Sequence, residues 1–433
     1  MSKIVIIGAG IGGLIAAAEL GKAGYEVSLY EKEKEDLLSY DWHDDVAPQI
    51  FKDLDLPLPD KEHYHPKSDW SFVIPKAKNI LFVPIKGERD LSIHRRALSK
   101  YLVDKAKQYC SMFFDVKVDS LLIKDDKVQG VKVKGKNIKA DLVIDSSGAL
   151  SAFRASLPES SNIQQKPYPG DIFYAFRGFY ERKDAKIEHK CKAYLKHLGE
   201  QGLSWSRHEI EGEVDILVGR IDKLDKKTLD NALNELKKDN PSMGDKLLHG
   251  GQICTIPVRY PLTKMVTDGY AAIGDAAFMT IPMLGSGIAS SMFAGRLIAE
   301  TIIKGGVEKQ NLWNYQVRFM YKAGSRHMGV DALKRWLLRT PSEDLAFLFD
   351  KGIISQKEME VSSSGGAVKL SFIDIFKKLV AGFPRIGLLL NLKKAVDRMQ
   401  KAIVLGNDIP VEYDDKKIAV WQQKLWEFFH NQH

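Results

Sequence analysis

Three closely spaced glycines near the N-terminus have the spacing of a loop that binds phosphate groups. Gly8, Gly10 and Gly13 would form a tight turn, let the backbone approach a pyrophosphate, and let a helix pack closely on a strand, respectively. Gly12 lies in the same loop, and the free N–H groups and dipole of the following helix would favour the anion. Glu31 comes about 20 residues later, where an acid accepts ribose hydroxyls in such a fold. Because that acid disfavours a 2′-phosphate, the pattern predicts FAD or NAD rather than NADP.

A strand, a helix and a second strand must hold these residues in place, and the surrounding sequence predicts all three. Residues 3–7 are apolar enough for a buried parallel strand, a helix is expected from about residue 12 to 23, and residues 26–30 form the second strand. The apolar run behind Lys3 also resembles a secretory signal peptide. The uninterrupted order of strand, glycine loop, helix, strand and acid favours nucleotide binding instead.

Three later segments favour FAD over NAD as the bound dinucleotide. The first contains Arg95 just before an expected helix, and the second is a buried strand that leads to Gly148. In the third, a strand leads to Gly274 and Asp275, whose carboxylate could accept hydrogen bonds from ribityl hydroxyls. The residues that then open a long helix are Pro282, Gly285, Gly287 and Ile288. The bare N–H groups at the start of this helix could stabilise the flavin edge that becomes anionic on reduction.

The composition of the chain excludes several other classes of function. Its 433 residues include 64 Lys+Arg and 56 Asp+Glu, a net charge of +8, and 44% of them are hydrophobic. This is ordinary for a globular chain of about two or three domains. The basic residues are spread along the chain without a zinc-finger or helix-turn-helix pattern, so we expect no nucleic-acid partner. The three cysteines are far apart, and His63 and His65 have none nearby, so we expect neither a disulfide framework nor a metal site.

The glycine loop and the three later segments together resemble the FAD-binding domain that p-hydroxybenzoate-hydroxylase-type monooxygenases share with geranylgeranyl reductases. The resemblance implies that FAD is the cofactor, that the backbone of Val118 contacts its adenine, and that Arg95 contacts its phosphate or ribityl region. The cofactor-binding residues expected in this way are Gly8, Gly10, Gly12, Gly13, Glu31, Lys32, Arg95, Val118, Gly148, Gly274, Asp275, Pro282, Gly285, Gly287 and Ile288. Residues 271–304 and 379–401 are similar to archaeal-type geranylgeranyl reductases, which use FAD to reduce isoprenoid C=C bonds of prenyl lipids.

The expected fold class is α/β. It comprises a Rossmann-like FAD-binding domain of the glutathione-reductase/p-hydroxybenzoate-hydroxylase type, an inserted antiparallel β-sheet substrate domain and a helical C-terminal region. Short alternating apolar stretches between the FAD segments predict the inserted sheet. The expected boundaries are 1–60, 91–164 and 262–310 for the FAD-binding domain, 61–90 and 165–261 for the sheet domain, and 311–433 for the helical region.

Two departures from the geranylgeranyl reductase pattern bear on the chemistry. Residues 41–44 replace the family's Pro-Cys-Gly-Asp/Glu stretch and keep only its acid, and Trp205 is all that remains of an aromatic-x-Trp-x-Phe-Pro motif. His43 is the candidate proton donor beside the missing cysteine, because histidine titrates near neutral pH. Trp42 is a second catalytic candidate, through stacking near the flavin; a polar loop and ordinary packing are the alternatives for these two residues. Trp205 and Arg207 are the candidate substrate-binding residues, in a pocket more polar than a prenyl tunnel requires.

The function expected from the resemblance is that of a FAD-dependent oxidoreductase, which reduces C=C bonds of an isoprenoid or other lipid-like substrate by hydride transfer from reduced flavin. An external donor, ferredoxin or NAD(P)H, would supply the electrons. The alternative is a flavin monooxygenase or halogenase acting on an aromatic or polyketide-like substrate. A flavin-holding electron carrier is the third, non-enzymatic candidate.

Basic residues within apolar helical stretches near the C-terminus suggest contact with an anionic surface. Residues 372–380 and 386–399 combine apolar faces with lysine and arginine, and they could lie on a membrane or cap the substrate domain. The expected location is therefore cytoplasmic, with peripheral contact at the inner face of the membrane as one of the two options.

Overall fold

The computed structural model describes residues 2–85, 87–355 and 385–431. Its strands are β1 (Lys3–Ile7), β2 (Glu26–Tyr30), β3 (His43–Val46), β4 (Tyr64–Pro66), β5 (Trp70–Val73), β6 (Leu81–Val83), β7 (Leu91–His94), β8 (Ser111–Phe113), β9 (Val118–Lys124), β10 (Lys127–Val133), β11 (Lys136–Lys139), β12 (Leu142–Asp145), β13 (Ile172–Arg182), β14 (Cys191–Leu195), β15 (Gly202–Arg207), β16 (Glu213–Ile221), β17 (Met243–Pro257), β18 (Val266–Thr267) and β19 (Tyr270–Ala272). Its α-helices are α1 (Ile11–Lys22), α2 (Gln49–Asp53), α3 (Arg95–Ala106), α4 (Ala152–Ala155), α5 (Lys226–Asp239), α6 (Ile288–Gly305), α7 (Lys309–Phe319), α8 (Ser325–Arg339), α9 (Ser342–Asp350), α10 (Ile386–Asn407) and α11 (Asp415–His430).

A six-stranded sheet in the order β18-β19-β12-β1-β2-β8 forms the nucleotide-binding part of the fold. All its strand pairs are parallel except β18–β19. β1 is central, and residues 4–7 are at most 4% exposed, which explains their continuous apolar sequence. Helices α1 and α6 pack against each other so closely that a Cβ on Gly295 would lie 2.4 Å from the carbonyl oxygen of Gly12. This arrangement confirms the predicted Rossmann-like fold, and β9, β10 and β11 add an antiparallel meander between β8 and β12.

A seven-stranded sheet in the order β17-β13-β16-β15-β14-β5-β6 forms the second layer, and its pairs are antiparallel except β14–β5. One face of β16 presents Val214, Ile216 and Val218 to the apolar side of α5. The alternate residues Asp215 and Leu217 lie on the other face, which packs near the chain that follows β2. The predicted inserted antiparallel sheet is therefore present, with one face covered by its own helix.

A small third sheet has the order β3-β7-β4. The chain passes through it on the way from the six-stranded sheet to the seven-stranded sheet, and again on the way back. Residues 64–66 lie within the range 61–90 expected for the sheet domain, and they pair with β7. His43 in β3 is directly opposite His94 in β7, and Arg95 begins α3 immediately afterwards. This sheet therefore places the stretch of residues 41–45 beside Arg95, the arginine expected to contact FAD.

The C-terminal part is helical in its described residues, as expected. Helices α8 and α10 pack together, and a Cβ on Gly329 would lie 2.6 Å from the Ile403 side chain. Helix α11 packs on α10, where the Trp421 indole donates to the carbonyl oxygen of Leu405, and its Gln422 amide donates to the Thr263 hydroxyl. The predicted amphipathic stretch 372–380 lies outside the described residues. No helix within the described ranges has the length and hydropathy needed to cross a bilayer.

Candidate functional site

The glycine loop lies between the end of β1 and the start of α1, pressed against the turn after β12. Gly8 has a φ of +90°, and a Cβ there would lie 2.7 Å from the carbonyl oxygen of Ser146. A Cβ on Gly10 would lie 2.5 Å from the Ser146 hydroxyl oxygen, so only glycine fits at either position. Gly10 is the N-cap of α1, and no side chain caps this helix. The N–H groups of its first turn are therefore available to an anion, as a pyrophosphate requires.

Glu31, the residue after β2, connects the glycine loop to the segment that follows this strand. One carboxylate oxygen of Glu31 accepts a hydrogen bond from the Ala9 N–H at 2.7 Å, and the other accepts from the Glu33 N–H at 2.9 Å. The Val116 N–H donates to the Glu31 carbonyl oxygen, so the chain that leads to Val118 lies beside this acid. The carboxylate keeps further lone pairs, with which it can accept ribose hydroxyls.

Asp275 lies after β19, beside the start of α6. A Cβ on Gly287, the N-cap of this helix, would lie 3.3 Å from an Asp275 carboxylate oxygen. Within the described ranges, no hydrogen bond to that carboxylate is present. Burial raises the pKa of Asp275 to about 6, although the nearby Arg95 lowers it. A half-buried carboxylate without a donor fits a ligand that brings hydroxyl groups, as the ribityl chain of FAD does.

A series of ion pairs runs from Arg95 into the seven-stranded sheet, and we call it the ion-pair chain: Arg95, Asp44, Arg177, Asp215 and Arg207. Arg95 donates to Asp44 at 2.9 Å, and Arg177 donates to the other oxygen of Asp44 at 3.0 Å. Arg177 also makes two bonds to Asp215, at 2.9 and 2.6 Å. Arg207 Nε lies 3.8 Å from Asp215. Although burial opposes ionisation, Arg177 holds the pKa of Asp215 below its usual value, so this carboxyl stays ionised.

Aromatic side chains surround the middle of the ion-pair chain. The Arg177 guanidinium lies 5.1 Å from the Trp205 ring centroid and 6.0 Å from that of Trp42. Trp42 is 4% exposed and stacks on Tyr40 with ring centroids 4.2 Å apart. Cys254 belongs to the same apolar cluster, and burial raises the pKa of its thiol to about 12. The surface between the sheet and the nucleotide-binding part is thus apolar at one end and charged at the other.

His43 lies at the charged end, beside a small cavity. Its Nδ1 is 3.3 Å from the carbonyl oxygen of Ser92, and its ring centroid is 5.2 Å from that of His94 and 5.4 Å from that of His65. Burial lowers the pKa of His43 to about 3, so the imidazole is neutral at physiological pH. The cavity beside it is also lined by Arg207. Its role as a proton donor stays a prediction, and its lowered pKa weighs against that role because a neutral imidazole is a very weak acid.

The remaining predicted residues are distributed between the two ends of the site. A Cβ added to Gly148, which has a φ of +99°, would meet nothing within 4 Å, whereas Pro282 is buried before α6. Lys32 has an exposed side chain. Trp205 donates to Asp215 at 3.3 Å, and Arg207 is buried within the ion-pair chain.

Sequence reasoning did not identify Arg177 or Asp215 as residues of the site. The signal is present, because Arg177 interrupts the apolar alternation of Phe173, Ala175 and Phe179 on one face of β13. A charged residue on a buried face requires a charged partner, which here comes from the adjacent strand β16.

Three comparisons with known proteins agree with this geometry. The sequence pattern of the NAD(P)-binding Rossmann-like domain matches residues 6–53, which hold the glycine loop and Glu31. A digeranylgeranylglycerophospholipid reductase from Sulfolobus acidocaldarius is 23% identical over 98% of this chain and 96% of its own. A solved geranylgeranyl bacteriochlorophyll reductase-like protein from Thermoplasma acidophilum superimposes with a TM-score of 0.73 at 18% identity, over 91% of this chain and 99% of its own. A flavin-dependent brominase superimposes with a TM-score of 0.63 at 18% identity, over 89% of this chain and 100% of its own.

The predicted resemblance to the geranylgeranyl reductase family is thereby confirmed, and it extends over nearly the whole chain. The structural likenesses confirm the fold, a Rossmann-like nucleotide-binding domain that carries an inserted sheet.

Proposed function

We propose that this protein is a FAD-dependent oxidoreductase that reduces C=C bonds of an isoprenoid or other lipid-like substrate. One observation carries the proposal. The glycine loop, Glu31 and Asp275 lie beside one sheet, and Trp42 packs on the partly apolar face of the second sheet. The similarity to a digeranylgeranylglycerophospholipid reductase over 98% of the chain supports the substrate class.

The binding of FAD is supported by groups that lack partners within the described residues. The N–H groups at the start of α1 suit the pyrophosphate, and the Asp275 carboxylate suits the ribityl hydroxyls. Because its N-cap is a glycine, the start of α6 beside Asp275 is not covered by a side chain at that position. The dipole of this helix favours negative charge there. When bound and reduced, FAD supplies the hydride for the reaction.

The residues of this chain would bind the substrate and provide the proton. A hydrocarbon segment of the substrate would pack against the buried apolar cluster that includes Trp42, Phe173 and Cys254. Trp205 forms part of the wall between this cluster and the ion-pair chain. His43 is the candidate donor of the proton that completes the saturated bond, and to donate it the ring must first become an imidazolium, which its burial disfavours.

Anaerobic turnover of a prenyl lipid tests the proposal. The full-length protein purified with FAD should be yellow, and after reduction with dithionite it should be reoxidised by digeranylgeranylglycerophospholipid. Mass spectrometry should then find lipid that has gained a pair of hydrogen atoms for each bond reduced. The proposal is wrong if FAD does not bind, or if the reduced flavin persists unchanged in the presence of this lipid. If His43 donates the proton, the lipid should reoxidise the His43→Gln variant more slowly than the wild type, whereas dithionite should reduce the two proteins equally.

A flavin monooxygenase or halogenase is the second candidate, favoured by the likeness to the brominase fold and by the charged end of the site. Stopped-flow mixing of the reduced protein with oxygen distinguishes the two. We expect the oxidised flavin spectrum to return in one phase. A delayed second phase that depends on an aromatic substrate would favour the monooxygenase or halogenase.

The proposal extends to a cytoplasmic protein in peripheral contact with the inner face of the membrane. Ile386 and Leu390, at the start of α10, are 47% and 56% exposed, and the exposed Lys393 and Lys394 follow in the next turn. Co-sedimentation with anionic liposomes that weakens as salt is added would support this contact, and no binding at low salt would refute it. The electron donor, ferredoxin or NAD(P)H, is to be identified by testing which of them reduces the bound flavin.

A further inference from the structure

The carboxylate of Asp44 joins two arginines that belong to different parts of the fold. Its Oδ2 accepts from Arg95 Nη1 at 2.9 Å and from the Trp42 indole at 3.3 Å. Its Oδ1 accepts from Arg177 Nη1 at 3.0 Å. Arg95 begins α3 of the nucleotide-binding part, whereas Arg177 lies inside the seven-stranded sheet. One side chain therefore bridges the arginine assigned to FAD and the interior of the substrate sheet.

The orientation of the Arg95 guanidinium depends on this bridge. The Arg95 backbone N–H donates to the Trp42 carbonyl oxygen at 2.8 Å, which fixes where the side chain begins. Within the described ranges, Asp44 is the ion-pair partner of Arg95. The other side-chain hydrogen bond of Arg95 goes to the Ser39 hydroxyl at 3.3 Å. Without Asp44, the long arginine side chain would regain rotational freedom that it must lose again when it binds a phosphate or ribityl group.

The other end of the bridge is rigid. Arg177 is 2% exposed and is held by two bonds to Asp215. Its guanidinium also lies within 6.0 Å of the ring centroids of Trp42, Phe179 and Trp205. A buried guanidinium with a bidentate carboxylate partner and aromatic neighbours keeps one orientation. The sheet thus anchors Asp44, and Asp44 in turn anchors Arg95.

We propose that Asp44 is a positioning residue that orients Arg95 toward FAD from the substrate sheet and so couples cofactor binding to that sheet. The inference rests on the proposed function, because it requires that Arg95 contact FAD. Because such a coupling is reciprocal, a substrate bound against the sheet changes the affinity for FAD by the same factor by which FAD changes the affinity for the substrate.

The chain provides matched controls for both ends of the bridge. Asp45 is the next residue of β3 and is also paired, with Lys67 at 2.8 Å and Arg207 at 3.3 Å, but it does not contact Arg95. Arg220 is a buried arginine of the same sheet that bonds the Ser204 hydroxyl and nearby carbonyl oxygens rather than Asp44. Substitutions at these two positions perturb the same strand and the same sheet without breaking the bridge.

The rate at which full-length holoprotein releases FAD tests the coupling. It is measured on dilution, as the recovery of flavin fluorescence. We expect Asp44→Asn to release FAD three- to tenfold faster than the wild type, and Arg177→Gln about threefold faster. Asp45→Asn and Arg220→Gln should stay within twofold of the wild type. The double variant Asp44→Asn/Arg177→Gln should release FAD no faster than Asp44→Asn alone, because both substitutions break the same link.

Each other outcome has a defined meaning. Equal release from Arg177→Gln and the wild type overturns the coupling, as does a double variant whose effect is the product of the two single effects. If Arg177→Gln does not fold, Arg177→Gln/Asp215→Asn takes its place, since it removes both buried charges together. If the wild-type protein binds no FAD, the proposed function itself is overturned. If the wild type binds FAD and the variants release it at the wild-type rate, only the role of Asp44 is overturned.

Discussion

Replacing Gly8 by alanine should destabilise the protein far more than replacing a glycine of similar backbone conformation elsewhere. Gly8 has a φ of +90°, where a Cβ costs about 1–2 kcal/mol. The new Cβ would also lie 2.7 Å from the Ser146 carbonyl oxygen and 3.1 Å from the Ser147 Cα. Because these are backbone atoms, β1 and the turn after β12 must separate, which adds about 1–3 kcal/mol. We therefore expect the free energy of unfolding to fall by about 2–5 kcal/mol.

Gly135→Ala is the matched control, because Gly135 has a φ of +76° in the β10–β11 turn and nothing within 4 Å of the added Cβ. It should cost only the conformational part, about 1–2 kcal/mol. Urea unfolding of the two full-length variants and the wild type, compared at unchanged slope, measures the difference, and flavin absorbance after purification measures retention of FAD. Equal losses of stability in the two variants would refute the argument, because they would show that the contact with Ser146 costs nothing.

Two further predictions concern buried charges. Because burial raises the pKa of Asp275 from 3.8 to about 6, the flavin-free folded chain should lose stability as pH rises from about 4 to about 6, and Asp275→Asn should abolish this loss. Melting curves of both proteins across this range test it, and parallel pH profiles would contradict it. Asp215→Asn should lower the free energy of unfolding by about 3–5 kcal/mol, because it leaves Arg177 buried without its bidentate partner. In urea unfolding, Asp230→Asn, which breaks only the exposed pair with Lys226, should cost about 0–1 kcal/mol, and an equal cost for the two variants would refute the prediction.

Local patterns predicted the nucleotide-binding part of the fold well. The expected strands at residues 3–7 and 26–30 are present with those bounds, and the helix begins at Ile11 rather than near residue 12. These elements are short-range, and their apolar periodicity and glycines are determined by contacts within one βαβ unit. The pairing of residues 64–66 with β7 was not predicted, because strand pairing between distant segments leaves no local signal.

The candidate site was predictable only where its residues belong to a local motif. The glycine loop, Glu31 and Asp275 follow spacings that the resemblance makes recognisable. Arg177 and Asp215 carry no motif, and their partnership depends on the pairing of β13 with β16. His43 was chosen for the usual pKa of histidine, and its sequence neighbours could not reveal the burial that lowers this pKa to about 3.

The ion-pair chain is better explained by orientation than by stability. Buried ion pairs lose so much hydration that apolar residues of similar size are often equally stable. The neighbouring surface is already apolar at Phe173, Leu217 and Cys254, so adhesion between the two parts of the fold does not require charge. Two apolar surfaces can shift against each other without losing their contact. The hydrogen bonds of Arg177 to Asp44 and Asp215, in contrast, require one relative position of their donors and acceptors. Reaction between a bound cofactor and a substrate on the sheet depends steeply on their separation and alignment. A chain of directional bonds between the two binding surfaces meets that requirement, which an apolar interface of equal area does not.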